Sequence, residues 1–263
     1  GIKRFTLGLG KKVLIANVLG SFCTSYLNSP DKSVVFSFFY MLCYTMQVFF
    51  DFAGYSDMAI GLGKILGFNF LENFNYPFIS KNITEFWQRW HISLGSWFRD
   101  YVYIPLGGSR VNKYKLIRNI LVVWTLTGLW HGAAWNFMIW GLYFGIILLI
   151  EKLVLKKYLD KMPNILKHLY VLLIVGLSFV IFGADNMTRA FDILKNIVGL
   201  NGLSFYNKIT GYYLRNYIII IILGILFSMP IIKNIIERLV EKKDRNKLEF
   251  KPISMNKLEK QDF

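Results

Sequence analysis

Residues 119–150 contain no Lys, Arg, Asp or Glu. Beyond Asn119 itself, their only polar interruptions are Thr125, Thr127, His131 and Asn136. One helix needs about 20 apolar residues to cross a bilayer core, so this run is too long for a single untilted span. It forms one tilted helix or turns back near Gly128–Gly132. Hydrocarbon offers no water to an unpaired N–H or C=O, so blocks of this length commit the chain to helices. Further apolar blocks lie at 13–27, Val34–Phe50, 169–183 and 217–232, within a chain that is 54% hydrophobic. The expected fold class is all-α, a polytopic integral membrane protein with re-entrant or interfacial helices. Residues 1–232 form the membrane-embedded core, and residues 233–263, with nine basic and six acidic side chains, form a polar basic cytoplasmic tail.

The net charge of +15 would suggest nucleic acid in a soluble protein. Here the basic residues fall between apolar blocks, at 1–12, 81–118, 151–168 and 233–263, as cytoplasmic loops do, so no nucleic acid is expected. Placing all four segments on one side requires hairpins at 13–50, 119–150 and 169–232. Membrane lipid is then the first partner. The basic residues at 110–118 and 151–167 serve either as orientation signals facing anionic lipid or as a meeting point for an acidic partner. Cys23 and Cys43 sit among apolar residues as inert thiols, and no metal is expected.

Asn28-Ser29-Pro30-Asp31 marks a turn. After Phe50 come Asp51 and Asp57, six residues apart around Gly54 and Ser56. Six residues leave a 120° offset on a helix, which argues against a paired dyad. The segment reads either as a kink or interfacial piece, or as one whose carboxylates orient a histidine or line a polar cavity. Residues 68–85 are aromatic, Asn-rich and irregular. Asn82 and Glu85 then resemble a helix start. From 83 to 101 the spacing of Trp87, Trp90, Leu94, Trp97, Phe98 and Tyr101 predicts one amphipathic helix with His91 on its boundary. Trp124, Thr127, His131 and Trp135 would share a helix face. Residues 151–167 read as a basic loop, His168 as a plain interfacial residue, and 184–216 as a polar link.

The chain has no phosphate-binding Gly-rich loop, HExxH, CxxC or nucleophile elbow. What remains are His91 and His131 among Trp, Asn, Thr and Arg. A histidine at membrane depth is costly without a partner or a task. A low-dielectric pocket keeps imidazole neutral and basic, which suits removal of a hydroxyl proton during acyl transfer from a thioester. The plainer alternative is a pair of hydrogen-bonded packing histidines.

Four stretches carry a resemblance: Asp51-Phe-Ala-Gly-Tyr-Ser-Asp-Met-Ala-Ile, Phe86-Trp-Gln-Arg-Trp-His-Ile-Ser-Leu, Trp97-Phe-Arg-Asp-Tyr-Val-Tyr-Ile-Pro-Leu-Gly-Gly and Trp130-His-Gly. In this order they resemble the membrane-bound O-acyltransferase family, in the branch that O-acetylates alginate or peptidoglycan or D-alanylates teichoic acid. The resemblance is dense over 1–150 and loose beyond. It implies helices around a central funnel and a multi-pass enzyme of the bacterial cytoplasmic (inner) membrane. It makes His131 the catalytic residue and His91 a second functional one. It also implies a cytoplasmic thioester donor, acetyl-CoA or an acyl carrier protein, with no bound cofactor. The acceptor is an extracytoplasmic polysaccharide reached through an acetyltransferase partner protein. Candidates to line the cavity or meet the donor are Asp51, Asp57, Arg89, Trp90, Trp130 and Asn136. Family members carry further spans before the segment matching residue 1, so this chain resembles a carboxy-terminal portion. The two imidazoles are expected to open onto one continuous cavity. The competing readings are a non-catalytic transporter or channel with relay histidines, and a structural subunit of a polysaccharide export complex.

Overall fold

The computed structural model describes residues 1–249. The end of the expected tail, residues 250–263, lies outside the described residues. Regular structure among the described residues is helical, apart from one isolated antiparallel bridge between Phe74 and Trp90. The chain opens with α1 (Ile2–Gly10), a π-helical turn (Lys11–Ala16) and α2 (Asn17–Asn28), which run on as one rod. After the expected turn, Ser33 caps α3 (Val34–Ile65) by accepting the Phe36 N–H at 3.1 Å. The first hairpin therefore forms where the turn residues place it, but both of its arms are longer than the apolar blocks.

The extension has a physical cause. Asp57 accepts from Arg4 at 2.8 Å and from Lys11 at 2.6 Å, and Lys12 pairs with Asp51. A kink or interfacial break at 51–58 is thus corrected: with their charges met by the first helix, these residues continue α3. At 32 residues, α3 is about 48 Å long at 1.5 Å per residue and outruns the hydrocarbon, leaving its charged end beyond it. Glycines set the approach. A Cβ on Gly54 would sit 2.7 Å from the Gly8 carbonyl oxygen, so only hydrogen fits there.

α4 (Ile83–Arg89) and α5 (Ile92–Phe98) replace the single helix expected over 83–101, and a π-helical turn follows at Arg99–Tyr103. The break falls at Trp90 and His91. α6 (Lys113–His131) and α7 (Trp135–Ile150) form the second hairpin: of the two alternatives, the chain turns back, at the end of the Gly128–Gly132 stretch, rather than running on as one tilted helix. A Cβ on Gly141 would meet the Trp124 carbonyl oxygen at 2.3 Å, which places these two helices backbone to backbone. Trp135 starts the second arm, so it leaves the face shared by Trp124, Thr127 and His131. Residues 151–161 are helical rather than a basic loop: a π-helical turn (Glu151–Leu155) and α8 (Lys156–Lys161) prolong α7. α9 (Asn164–Gly183), α10 (Met187–Ile197), α11 (Lys208–Ser228) and α12 (Ile231–Glu249) complete the described chain.

α3 is the central element. It packs against α1, α2, α9, α10 and α11, and its own Phe36, Tyr40 and Phe50 are fully buried, as is Tyr26 of α2. Among the described residues, four helices are long and apolar enough to cross a membrane: α3, α7 with its continuation to Lys161, α9 and α11.

Gly54→Ala is expected to destabilise by about 1–3 kcal/mol through overpacking. Gly10→Ala, where a Cβ meets nothing within 4 Å, should stabilise by about 0.5–1 kcal/mol. Unfolding midpoints of the detergent-solubilised protein check both signs.

Candidate active site

The site begins with the irregular segment before α4. Asn75 N–H donates to the Arg89 carbonyl at 2.9 Å, and Ile92 N–H donates to the Asn73 carbonyl at 3.0 Å. These bonds flank the Phe74–Trp90 bridge and take backbone groups that a continuing helix would use. The chain responds by extending at Trp90 and turning at His91, which holds φ 48° and ψ 52°. A left-handed backbone costs a non-glycine residue about 1–2 kcal/mol, and such strain collects at functional sites. Periodicity alone does not show this break.

The imidazole of His91 is half-buried. Its Nδ1 lies 3.2 Å from Asn73 Oδ1, and its ring stands edge-on to Phe52 at 4.6 Å between centroids. His91 forms part of the wall of a cavity of about 1090 Å³ between α4, α5, α6 and the α7–α8 continuation. Trp87, Gln88, Trp124 and Thr127 share that wall; Arg99, Lys152 and Lys156 bring cationic groups to it and Glu85, Glu151 and Asp160 anionic ones, with Arg99 paired to Asp100 at 2.7 Å.

His131 is the last residue of α6. Gly132 follows with φ 156° and ψ 159°, a glycine-only conformation, and a Cβ there would strike the Phe137 ring at 2.7 Å. The His131 ring stands against Trp140 at 5.0 Å, Phe182 at 5.3 Å and Trp130 at 5.0 Å. Trp130 also lies 6.0 Å from the His91 ring, so one indole touches both imidazoles. The shared cavity, however, is not observed. Thr127, one turn earlier, lines it and His131 does not, because Trp140 and Phe182 pack over the end of α6.

The other expected residues separate. Asp51 and Asp57 hold the first helix to α3 and are absent from the cavity wall. Trp90 is 4% exposed and packs in the core against Phe74, Phe86 and Phe179 rather than lining the cavity. Arg89 is held by Glu85 at 3.0 Å and by the Asn75 carbonyl at 3.2 Å. Asn136 donates to the Phe182 and Ala184 carbonyls at 3.3 and 3.1 Å, which fixes the end of α9 and keeps Phe182 on His131. Trp130 stays beside the histidines. No cluster of metal-ligating side chains occurs among the described residues. His168 Nδ1 meets the Ser80 carbonyl at 3.0 Å, a packing contact.

Two contributors were not legible in the sequence. Asn73 was one of several asparagines in an irregular stretch. Glu151, 4% exposed, accepts the Ile83 and Thr84 N–H groups at 2.7 and 3.2 Å while Asn82 caps Glu85 N–H at 2.7 Å. A carboxylate at a helix N-terminus is favoured by the exposed N–H groups and by the helix dipole. A lone acid ending an apolar run was the available signal. Chemically, the site offers two imidazoles around one indole, one of them facing a cavity large enough for an extended substrate arm.

Glu151→Ala should lower stability by about 1.5–3 kcal/mol, because it strips charge-assisted partners from a buried helix start. Glu85→Ala, with a more exposed carboxylate, should cost less. Thermal unfolding of both variants in detergent tests the order.

Comparison with known proteins adds an independent finding. Residues 1–184 match the profile of the membrane-bound O-acyltransferase family. A probable alginate O-acetylase, AlgI, of Azotobacter vinelandii is 46% identical over 73% of this chain and 38% of its own length. A peptidoglycan O-acetyltransferase of Helicobacter pylori is 40% identical over 78% of the chain and 40% of its own length. A teichoic acid D-alanyltransferase of Bacillus subtilis is 38% identical over 56% of the chain and 40% of its own length. The chain thus spans about two-fifths of the length of the curated relatives it matches.

Proposed function

This chain belongs to the membrane-bound O-acyltransferase family, and from that premise we propose that it carries the histidine centre of a membrane enzyme that moves an acyl group from a cytoplasmic thioester toward an extracytoplasmic polysaccharide. The observation that carries the reading is the placement of His91 on the wall of a large cavity, with His131 across a single indole. The acyl group is acetyl on this reading. Support comes from the acetylating relatives, which align over 73–78% of the chain against 56% for the D-alanyl relative.

In the proposed reaction, neutral His131 removes the proton of the acceptor hydroxyl as its oxygen attacks the thioester carbonyl. The tetrahedral adduct collapses, the C–S bond breaks, and the leaving thiolate takes the proton back from the imidazolium. Thioester and alcohol become ester and thiol, with the base regenerated. His91 meets the donor in the cavity, where it positions the thioester or relays the proton. The donor is acetyl-CoA or an acyl carrier protein and is consumed as substrate. Both are acidic and suit the Lys152 and Lys156 side chains of the cavity wall, Arg99 being already paired with Asp100. The enzyme sits in the bacterial cytoplasmic membrane with its basic segments, including the tail from 233, inside. An extracytoplasmic acetyltransferase then passes the group from that ester to a polymer hydroxyl, which forms the polymer ester and releases the first acceptor's alcohol.

His131→Ala is expected to abolish polymer acylation at unchanged protein level in the membrane, and His91→Ala to cause a large loss with the fold retained. Mass spectrometry of the host's exopolysaccharide and wall, with and without the gene, reads acyl group and acceptor together. Normal ester content in His131→Ala would overturn the assignment of the base.

A further inference from the structure

We propose that Asn73 is the positioning residue for His91, holding its imidazole in the tautomer that keeps the proton on Nδ1 and leaves Nε2 as the basic atom. The inference rests on the reading of His91 as part of the transfer site. Asn73 is 9% exposed and lies 18 residues before the histidine. Its Oδ1 faces three groups: the Ser93 N–H at 3.2 Å, the Ser93 hydroxyl at 2.9 Å and His91 Nδ1 at 3.2 Å. Its Nδ2 donates to Ser56 Oγ on α3 at 3.1 Å.

The Ser93 backbone N–H can only donate, so the amide must present oxygen rather than nitrogen to it. An amide oxygen has no proton to offer. A ring nitrogen 3.2 Å from it is therefore satisfied only as N–H, and in a neutral imidazole the other nitrogen then carries the lone pair. The Ser93 hydroxyl is the one group able to reverse this by donating to Nδ1. It lies 3.4 Å from that atom and 2.9 Å from the amide oxygen, so the shorter bond keeps it on the amide. The titratable neighbour on the far side of Trp130 is His131, and α3 brings only Phe52 and Ser56 to this cluster.

Asn73 acts on the backbone as well. Its carbonyl takes the Ile92 N–H at 3.0 Å, so one residue holds both the strained turn and the ring that it carries. A neutral carbonyl partner also differs from a carboxylate. It orients the ring without stabilising the imidazolium by a full charge, so a proton taken at Nε2 is easily returned.

The test uses the whole membrane protein in detergent, with histidine labelled in the ring nitrogens, and compares it with Asn73→Asp, Asn73→Leu and His91→Ala. In the parent, nitrogen NMR should show His91 protonated at Nδ1 and bare at Nε2. In Asn73→Asp the His91 titration should move up by about one pH unit, because the new carboxylate favours imidazolium. In Asn73→Leu, kcat for acyl transfer from a thioester donor should fall about 10–100-fold, with the donor KM nearly unchanged. A parent ring protonated at Nε2, or an unmoved titration in Asn73→Asp, overturns the proposal even if Asn73→Leu fails to accumulate. His91→Ala separates the two readings. Parental activity in that variant removes the role of His91 itself. An inactive His91→Ala beside parental Asn73 variants removes only the role of Asn73.

Discussion

The short antiparallel pairing of residues 73–75 with 89–92 is the constraint on which the candidate site depends. Two backbone hydrogen bonds and one bridge interrupt a sequence that is otherwise helical in its periodicity. The interruption does what a regular helix would not. It buries Trp90 in the core and turns His91 out to the cavity wall, although the two are adjacent in sequence. On one continuous helix Trp90 would lie on the aromatic face and His91, 100° further round, on its boundary. The energy of a left-handed histidine is offset by the Asn73 backbone and side-chain bonds and by aromatic packing around Phe74 and Trp90.

Around that turn the scaffold is built from close helix approach rather than from apolar burial alone. In lipid the hydrophobic effect gives helices little reason to associate, so small residues that admit backbone contact carry more weight. The Gly8–Gly54 and Gly128–Gly141 contacts do this for the two hairpins. Charges are used sparingly and in pairs. Asp57 stands between Arg4 and Lys11, and Glu151 accepts from the Ile83 and Thr84 N–H groups and the Thr84 hydroxyl at the start of α4. Each carboxylate joins elements far apart in sequence.

Much of this is legible in the sequence. Block lengths pointed to membrane helices, the excess length of 119–150 to a tilted helix or a turn near Gly128–Gly132, Asn82 to the α4 cap, and the four motifs to the family. Other features were not, and for definite reasons. The break at Trp90–His91 arises from pairing with a segment about 16 residues upstream, which no local periodicity contains. The length of α3 depends on cations supplied by α1 and the π-helical turn after it, so Asp51 and Asp57 looked like a break or a polar lining when read alone. Residues 151–161 looked like a loop because their charge resembles solvent-facing sequence, yet Glu151 is buried by its contacts with α4. The separation of His131 from the cavity depends on Phe182, held by Asn136 from another helix.

The anchoring of α4 by Glu151 has a consequence for how this region tolerates change. The stretch from Phe74 to Trp90 is closed on itself by the bridge, and its middle is clamped where Ile83 and Thr84 meet the end of α7. Its contour length is therefore set on both sides, with no slack to absorb an inserted or deleted residue. One residue added between 84 and 90 would rotate the end of α4 by about 100°. That would carry the histidine away from the cavity while leaving the composition almost untouched. The connection after the Arg99–Tyr103 turn is held in the same manner, by the buried Asn119 amide donating to the Leu106 and Gly108 carbonyls at 3.0 and 3.1 Å, so slack is absent there too.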